Sequence, residues 1–248
     1  MNIILTGFMG TGKTSVGKRL AKRFGWTFVD IDQLIETSAQ MSIAQLFAKR
    51  GEAVFRRLER RHISRVVRGS EQVIATGGGA FIDPENRARL RLSGPVICLS
   101  ATPQAILERV GRRITMRPLL QGSKNPLARI QALLRQRARA YRQADLTLDT
   151  SALTIQEVVD RLWQQLSPCI CKSWQYLRQH ARELTHRYGG KYVMVVDDRI
   201  VATGDTHLAA YQNAHRRRDS SRHVLQRLMR REAGIYYIPL LEESRTAL

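Results

Sequence analysis

Acidic residues are scarce in this chain of 248 residues: 21 Asp and Glu stand against 41 Lys and Arg, a formal charge of +20. Long apolar runs are missing too. None approaches the ~20 residues that cross a bilayer, so neither a membrane-spanning protein nor a membrane partner is expected. The first residues show no basic stretch followed by an apolar stretch and a small-residue cleavage site, so export is not expected either. Three cysteines (Cys98, Cys169, Cys171) cannot build a disulfide framework, and a reducing cytoplasm is the expected location. Cys169-Ile170-Cys171 has no second Cys or His pair at zinc spacing and reads as linker. Aromatic residues make up only 6%. They are not interleaved with the basic run Arg216-Arg217-Arg218, Arg222, Arg227, Arg230 and Arg231, so the stacking surface of a single-strand binder is absent there.

The positive charge is not confined to one tail. Residues 1–166 carry +14 and residues 167–248 carry +6. Such a field attracts anions as a class, among them nucleotides, carboxylate metabolites and nucleic acid. Solvated basic helix faces are the simpler account, so nucleic acid is a possible partner but not the favoured one.

What the chain does have begins at Gly7. Gly7-Phe8-Met9-Gly10-Thr11-Gly12-Lys13-Thr14 is a complete phosphate-binding loop, preceded by the β-prone Met1–Leu5 and followed by the helical pattern Ser15–Ala21. Glycines let backbone N–H groups curl around phosphate oxygens, and the helix N-terminus adds a favourable dipole. In this motif Lys13 reaches the β- and γ-phosphates, and the Thr14 hydroxyl binds Mg²⁺.

Apolar runs then alternate with helical stretches, the signature of a parallel sheet covered on both faces. Expected strands are Asn2–Leu5, Thr27–Val29, Gln72–Ala75, Val96–Leu99 and Leu146–Leu148, and Asn125-Pro126 opens a helix. A last helix, Thr154–Leu166, closes this unit. Ser167-Pro168 breaks the pattern, which divides the chain into residues 1–166 and a smaller α+β module at 172–248. The module reads as an apolar helix stripe (Trp174, Leu177, Ala181, Leu184, Tyr188), then a hairpin of Tyr192–Val196 and Ile200–Thr203. Helical stretches near His207–His215 and Ser221–Glu232 and a strand-like Ile235–Leu240 follow. Asp197, Asp198 and Asp205 read as turn residues rather than metal ligands.

Four features in the first unit suit a second substrate. Asp30-Ile31-Asp32 follows the second strand, at the sheet edge where open α/β folds bind ligands. Strand alternation would separate the two carboxylates, one toward Mg²⁺ and one toward a hydroxyl. Arg56 and Glu59 lie three apart on one helix face, so the glutamate can hold the guanidinium. Gly77-Gly78-Gly79 permits close approach of backbone to ligand. Arg117 and Arg137 flank a Gly/Ser-containing segment suited to a lid. Two arginines to grip a carboxylate and an aspartate to orient a hydroxyl describe a small anionic polyol as acceptor of the γ-phosphoryl of ATP.

Residues 1 to about 166 closely resemble the shikimate kinase family. The phosphate loop, Asp30-x-Asp32, Phe55-Arg56-x-x-Glu59, the triple glycine, Arg117-Pro118-Leu119 and Arg137-x-x-x-Tyr141 occur in its order and spacing. The resemblance implies a five-stranded parallel sheet of the nucleoside-monophosphate-kinase type, with shikimate 3-phosphate as product. It implies that Gly10, Thr11, Gly12, Lys13, Thr14 and Ser15 hold the ATP phosphates, and that Thr14 and Asp30 hold Mg²⁺. Asp32 would take up the proton of the reacting hydroxyl, while Arg56, Gly78, Gly79 and Arg137 hold shikimate. Arg117 would close over the phosphates and act with Lys13 on the transferring group, in a monomeric kinase unit. Two departures stand out: Arg139 replaces the family's proline, and Thr150–Leu153 lacks its adenine-side arginine, a place Arg109, Arg112 or Arg113 could fill. Residues from about 172 resemble a small uncharacterised prokaryotic α/β domain, which implies no activity. Two other readings stand beside this one: a related kinase such as a gluconate kinase, and a basic regulatory or nucleic-acid-binding protein with an inactive kinase domain.

Overall fold

A computed structural model describes residues 2–111, 119–120, 122–123, 125–196, 199–206, 209–210, 212–213 and 224–227. Five strands, β1 (Asn2–Thr6), β2 (Thr27–Asp30), β3 (Gln72–Ala75), β4 (Val96–Ser100) and β5 (Leu146–Asp149), form one sheet in the order β2-β3-β1-β4-β5, every pairing parallel. All five expected strands are present within a residue or two of their expected ends. They were conspicuous because a parallel sheet buried on both faces turns its central strands into unbroken apolar runs. In β1 every residue is buried.

Alternate residues of the strands feed two cores. Ile3, Leu5, Val73, Ile97 and Leu99 face one side, against helices α1 (Lys13–Phe24) and α7 (Ile155–Gln179). Ile4, Ile74, Val96 and Cys98 face the other, against α2 (Ile31–Ala39), α3 (Ile43–Val66), α4 (Pro84–Ser93), α5 (Pro103–Val110) and α6 (Pro126–Tyr141). Helix starts are capped as their sequences foretell. Ser42 and Thr154 form capping boxes with Gln45 and Glu157, and Asp83, Thr102 and Asn125 cap helices with proline in the first turn. The chain order reverses at β1, with β3 on one side and β4 on the other. The crevice beyond the C-terminal end of β1 is therefore the place where such sheets bind ligands.

The expected end of the last helix at Leu166 is corrected. Helix α7 continues without interruption from Ile155 to Gln179, so Ser167, Pro168 and the Cys169–Cys171 stretch lie within a helix rather than a linker. Proline removes one N–H and one ladder bond, but a strong capping box at one end and a continued apolar stripe at the other keep the helix going. The expected stripe from Trp174 to Tyr188 is divided between the end of α7 and α8 (Ala181–Tyr188), and Gly189 stops α8 as expected. Strands β6 (Tyr192–Val196) and β7 (Arg199–Gly204) pair antiparallel as the expected hairpin. Part of the stretch expected as helix over Ser221–Glu232 is instead strand β8 (Val224–Arg227), which completes the sheet β7-β6-β8. The free edge of β6 overrides the local helical pattern there. Helix is present at 209–210 and 212–213. The expected strand Ile235–Leu240, Asp197-Asp198 and the arginines at 216–218, 222, 230 and 231 lie outside the described residues.

Helix α7 is about 37 Å long at 1.5 Å per residue, roughly twice a five-residue strand. It starts at the ligand-binding edge, just after β5, and passes the opposite edge. There Leu177, Leu184, Val193 and Val195 join the same apolar cluster as Val158, Leu162 and Leu166. Leu92 of α4 packs against Met194, Val201, Ala202 and Ala210. The C-terminal hairpin thus sits under the floor of the sheet, away from the phosphate loop.

Candidate active site

The phosphate loop closes on itself before any ligand arrives. Gly7 has φ +130°, and a Cβ there would lie 2.1 Å from the Leu99 carbonyl oxygen, so only glycine lets the chain leave β1 beside β4. The Thr11 hydroxyl donates to the Phe8 carbonyl at 2.8 Å, and Lys13 Nζ donates to the carbonyls of Gly7 (2.9 Å) and Phe8 (2.8 Å). Gly12 stands at the N-cap of α1 in a left-handed conformation without a side-chain cap. The first N–H groups of α1 are thereby left to an outside acceptor, the arrangement that binds phosphate.

Asp30 ends β2, and one of its carboxylate oxygens caps α2 through the N–H groups of Asp32 and Gln33. The other accepts from the Thr14 hydroxyl at 2.9 Å. The two acids are separated as expected, but not by strand alternation. The helix starts at the fully buried Ile31, so Asp32 projects from the first turn of α2 rather than from a strand. It projects toward Gly77, where a Cβ would lie 2.6 Å from Asp32 Oδ1 and 3.2 Å from Glu59 Oε1. The glycine makes room for two carboxylates to converge.

Arg56 is held from both directions along α3. Glu59 Oε2 accepts from Nη1 at 2.8 Å, and Glu52 Oε1 accepts from Nη2 at 3.0 Å and Nε at 3.2 Å. The Glu52 contact was missed in the sequence, although the i,i+4 spacing could have revealed it. Glu59 is fully buried, and its Oε1 has no hydrogen-bond partner among the described residues. Burial pushes its carboxyl up to about 7, opposed by the charge and hydrogen bond of Arg56 and reinforced by the nearby Asp32 and Asp83. The sign follows from linkage. Between the ordinary value of 4.5 and about 7, the folded chain keeps a proton that the unfolded chain has released. Stability from this group is therefore present in full at low pH and is lost as pH rises through about 7. Glu59→Gln, which mimics the protonated form, should match the wild type below about pH 4, under the ordinary value of 4.5. It should exceed it by up to about 3 kcal/mol above pH 7.5, read from denaturant midpoints. A difference that does not vary with pH would reject the raised carboxyl.

Across the crevice Arg137 of α6 is 4% exposed and stacks over the Phe8 ring at 5.3 Å. Its Nη1 donates to the Gly78 carbonyl at 3.2 Å, and the Tyr141 hydroxyl donates to the same oxygen at 2.5 Å. A cavity of about 650 Å³ brings together Thr14, Asp30, Asp32, Arg56, Glu59, Gly77, Gly78, Gly79 and Arg137, with Phe47, Phe55 and Leu119 as apolar wall. Gly10, Thr11, Gly12, Lys13 and Ser15 lie in the adjoining loop and first helical turn. Arg117, Arg112 and Arg113 lie outside the described residues. Arg109 extends from α5 to the loop after β5, where its guanidinium donates to the Thr150 hydroxyl (3.0 Å) and to the carbonyls of Thr150 and Ser151. Among the described residues, Arg109 is thus an arginine of the adenine-side candidates that reaches that loop.

A phosphate loop beside a cavity lined by Arg56, Arg137 and several carboxylates, Asp32 among them, on a parallel sheet of this order, defines a phosphate-loop kinase for a small anionic acceptor. The family model for shikimate kinase matches residues 9–167, about two thirds of the chain. A shikimate kinase of Thermodesulfovibrio yellowstonii is 47% identical over 161 residues, which cover 65% of this chain and 92% of that protein. One of Thermus thermophilus is 42% identical over 164 residues, 66% of this chain and 89% of that protein. Among solved structures, the shikimate kinase of Acinetobacter baumannii in complex with shikimate superposes with a TM-score of 0.63 at 35% identity, covering 66% of this chain and 90% of that one. The chain belongs to the shikimate kinase family.

Proposed function

We propose that the chain transfers the γ-phosphoryl group of ATP to the 3-hydroxyl of shikimate, giving ADP and shikimate 3-phosphate on the route to chorismate and the aromatic amino acids. The observation that carries this reading is the single cavity in which Asp32, Arg56 and Arg137 face one another beside the phosphate loop. Arg56 and Arg137, anchored from opposite walls, grip the acceptor carboxylate. Asp32 orients the reacting hydroxyl and takes its proton. Lys13 turns from the loop carbonyls to the phosphates, joined by the N–H groups from Gly10 to Ser15, and Arg117 closes from the lid. Fixing both reactants in line, with these donors gathered around the transferring group, supplies most of the catalysis. Arg109, hydrogen-bonded to Thr150 and Ser151, serves the adenine side.

The donors at the mouth of the loop fit Mg²⁺: the Thr14 hydroxyl and the Asp30 carboxylate are hard oxygen ligands 2.9 Å apart. Thr14 would hold it directly and Asp30 through water, and the ion when bound offsets phosphate charge. Among the described residues no helix is long and apolar enough to cross a membrane, and a cytoplasmic, monomeric kinase unit accompanied by the module at 172–248 completes the reading. The test is ADP release by the full chain with Mg²⁺-ATP and either shikimate or gluconate. Release with shikimate alone is the expected result; release with gluconate, or with neither, would overturn it.

A further inference from the structure

One peptide of the acceptor cavity has its orientation set by a residue outside it. The Gly78 carbonyl accepts from the Tyr141 hydroxyl at 2.5 Å, a closer contact than the 3.2 Å from Arg137. Tyr141 is the last residue of α6, and its ring is packed into the apolar core with 9% of its surface exposed. Burial pushes its phenol up to about 12, so it remains a donor throughout the neutral range. It does not line the cavity.

A trans peptide is planar, with its C=O and N–H pointing in opposite senses. Drawing the Gly78 oxygen toward α6 therefore turns the Gly79 N–H away from α6. On that other side lies Arg56, whose Nη1 and Nη2 come within 2.6 and 2.7 Å of where a Gly79 Cβ would be. No hydrogen bond among the described residues engages the Gly79 N–H. Space is short here: a Cβ on Gly78 would come within 3.2 Å of both Arg137 Nη1 and the Gly7 carbonyl oxygen, tighter than an ordinary contact. Glycine fits this close-packed loop, but a Gly-Gly peptide has the least intrinsic resistance to flipping. Its orientation has to be imposed from elsewhere.

We propose that Tyr141 is a positioning residue of the phosphoryl transfer. Its hydroxyl latches the Gly78–Gly79 peptide so that the Gly79 N–H, beside the Arg56 guanidinium, is presented to the acceptor carboxylate. Arg137 cannot serve as the latch alone, because its guanidinium is required on the same carboxylate; the tyrosine keeps the Gly78 oxygen satisfied when Arg137 turns to substrate. The proposal rests on the reading of shikimate as acceptor.

Tyr141→Phe keeps the ring and removes only the hydroxyl. With saturating Mg²⁺-ATP, its KM for shikimate should rise about tenfold, with kcat and the KM for ATP within twofold of wild type. On the methyl ester of shikimate, which lacks the carboxylate charge, the KM penalty should shrink to twofold or less. A purely structural role would penalise both acceptors alike and would disturb ATP as well. If wild type turns over shikimate and the variant's KM is unchanged, or if acid and ester suffer equally, the latch is overturned while the acceptor reading stands. If wild type shows no shikimate-dependent ADP release, the acceptor reading falls and the latch with it.

Discussion

Replacing Asp32 with asparagine is expected to lower kcat by a factor of about 10² to 10⁴, the usual range for loss of a positioned base, while ATP affinity stays within twofold. The geometry separates the two functions. Asp30 is committed to Thr14 and to the cap of α2. Asp32, two residues on, turns toward Gly77 and Glu59 on the acceptor side. Asparagine has nearly the same shape but cannot accept the hydroxyl proton. Calorimetric titration with Mg²⁺-ATP and single-turnover ADP release measure the two quantities separately. Loss of ATP binding would mean that Asp32 belongs to the nucleotide site instead.

Arg137→Ala should raise the KM for shikimate by about 10- to 150-fold, corresponding to the 1.5–3 kcal/mol of a hydrogen bond to a charged group, and leave the KM for ATP little changed. The size follows from burial. At 4% exposure, and stacked on Phe8, the guanidinium is shielded from water that could replace it. Alanine would also remove one donor from the Gly78 carbonyl, leaving Tyr141 in place. A steady-state titration of shikimate decides it, and an unchanged KM would remove Arg137 from the acceptor site.

The parts of the molecule legible in the sequence are those encoded locally. The phosphate loop is contiguous, and strands buried on both faces announce themselves as apolar runs. The proposed acceptor residues Asp32, Arg56 and Arg137 stand out by their chemistry and by the family resemblance, and they line one cavity. What was not legible depends on contacts between distant residues. Tyr141 reaches Gly78 across 63 positions and Arg109 reaches Thr150 across 41, and no local pattern marks either. The turn at Asp30-Ile31-Asp32 was misread because three residues fit a strand as well as a capped helix start. Pro168 reads as a terminator in the sequence, but tertiary packing on both sides of it outweighs one missing ladder bond.

That continuous helix α7 makes a cut at residue 166 a poor way to isolate the catalytic unit. Leu162 and Leu166 are fully buried in a cluster that continues through Leu177, Leu184, Val193 and Val195. Severing the chain there would lay open a sticky underside, although the matched family model ends at residue 167. The truncated protein should therefore aggregate on expression for reasons unrelated to its chemistry. Anyone preparing it for crystallisation or inhibitor screening would do better to keep the hairpin attached.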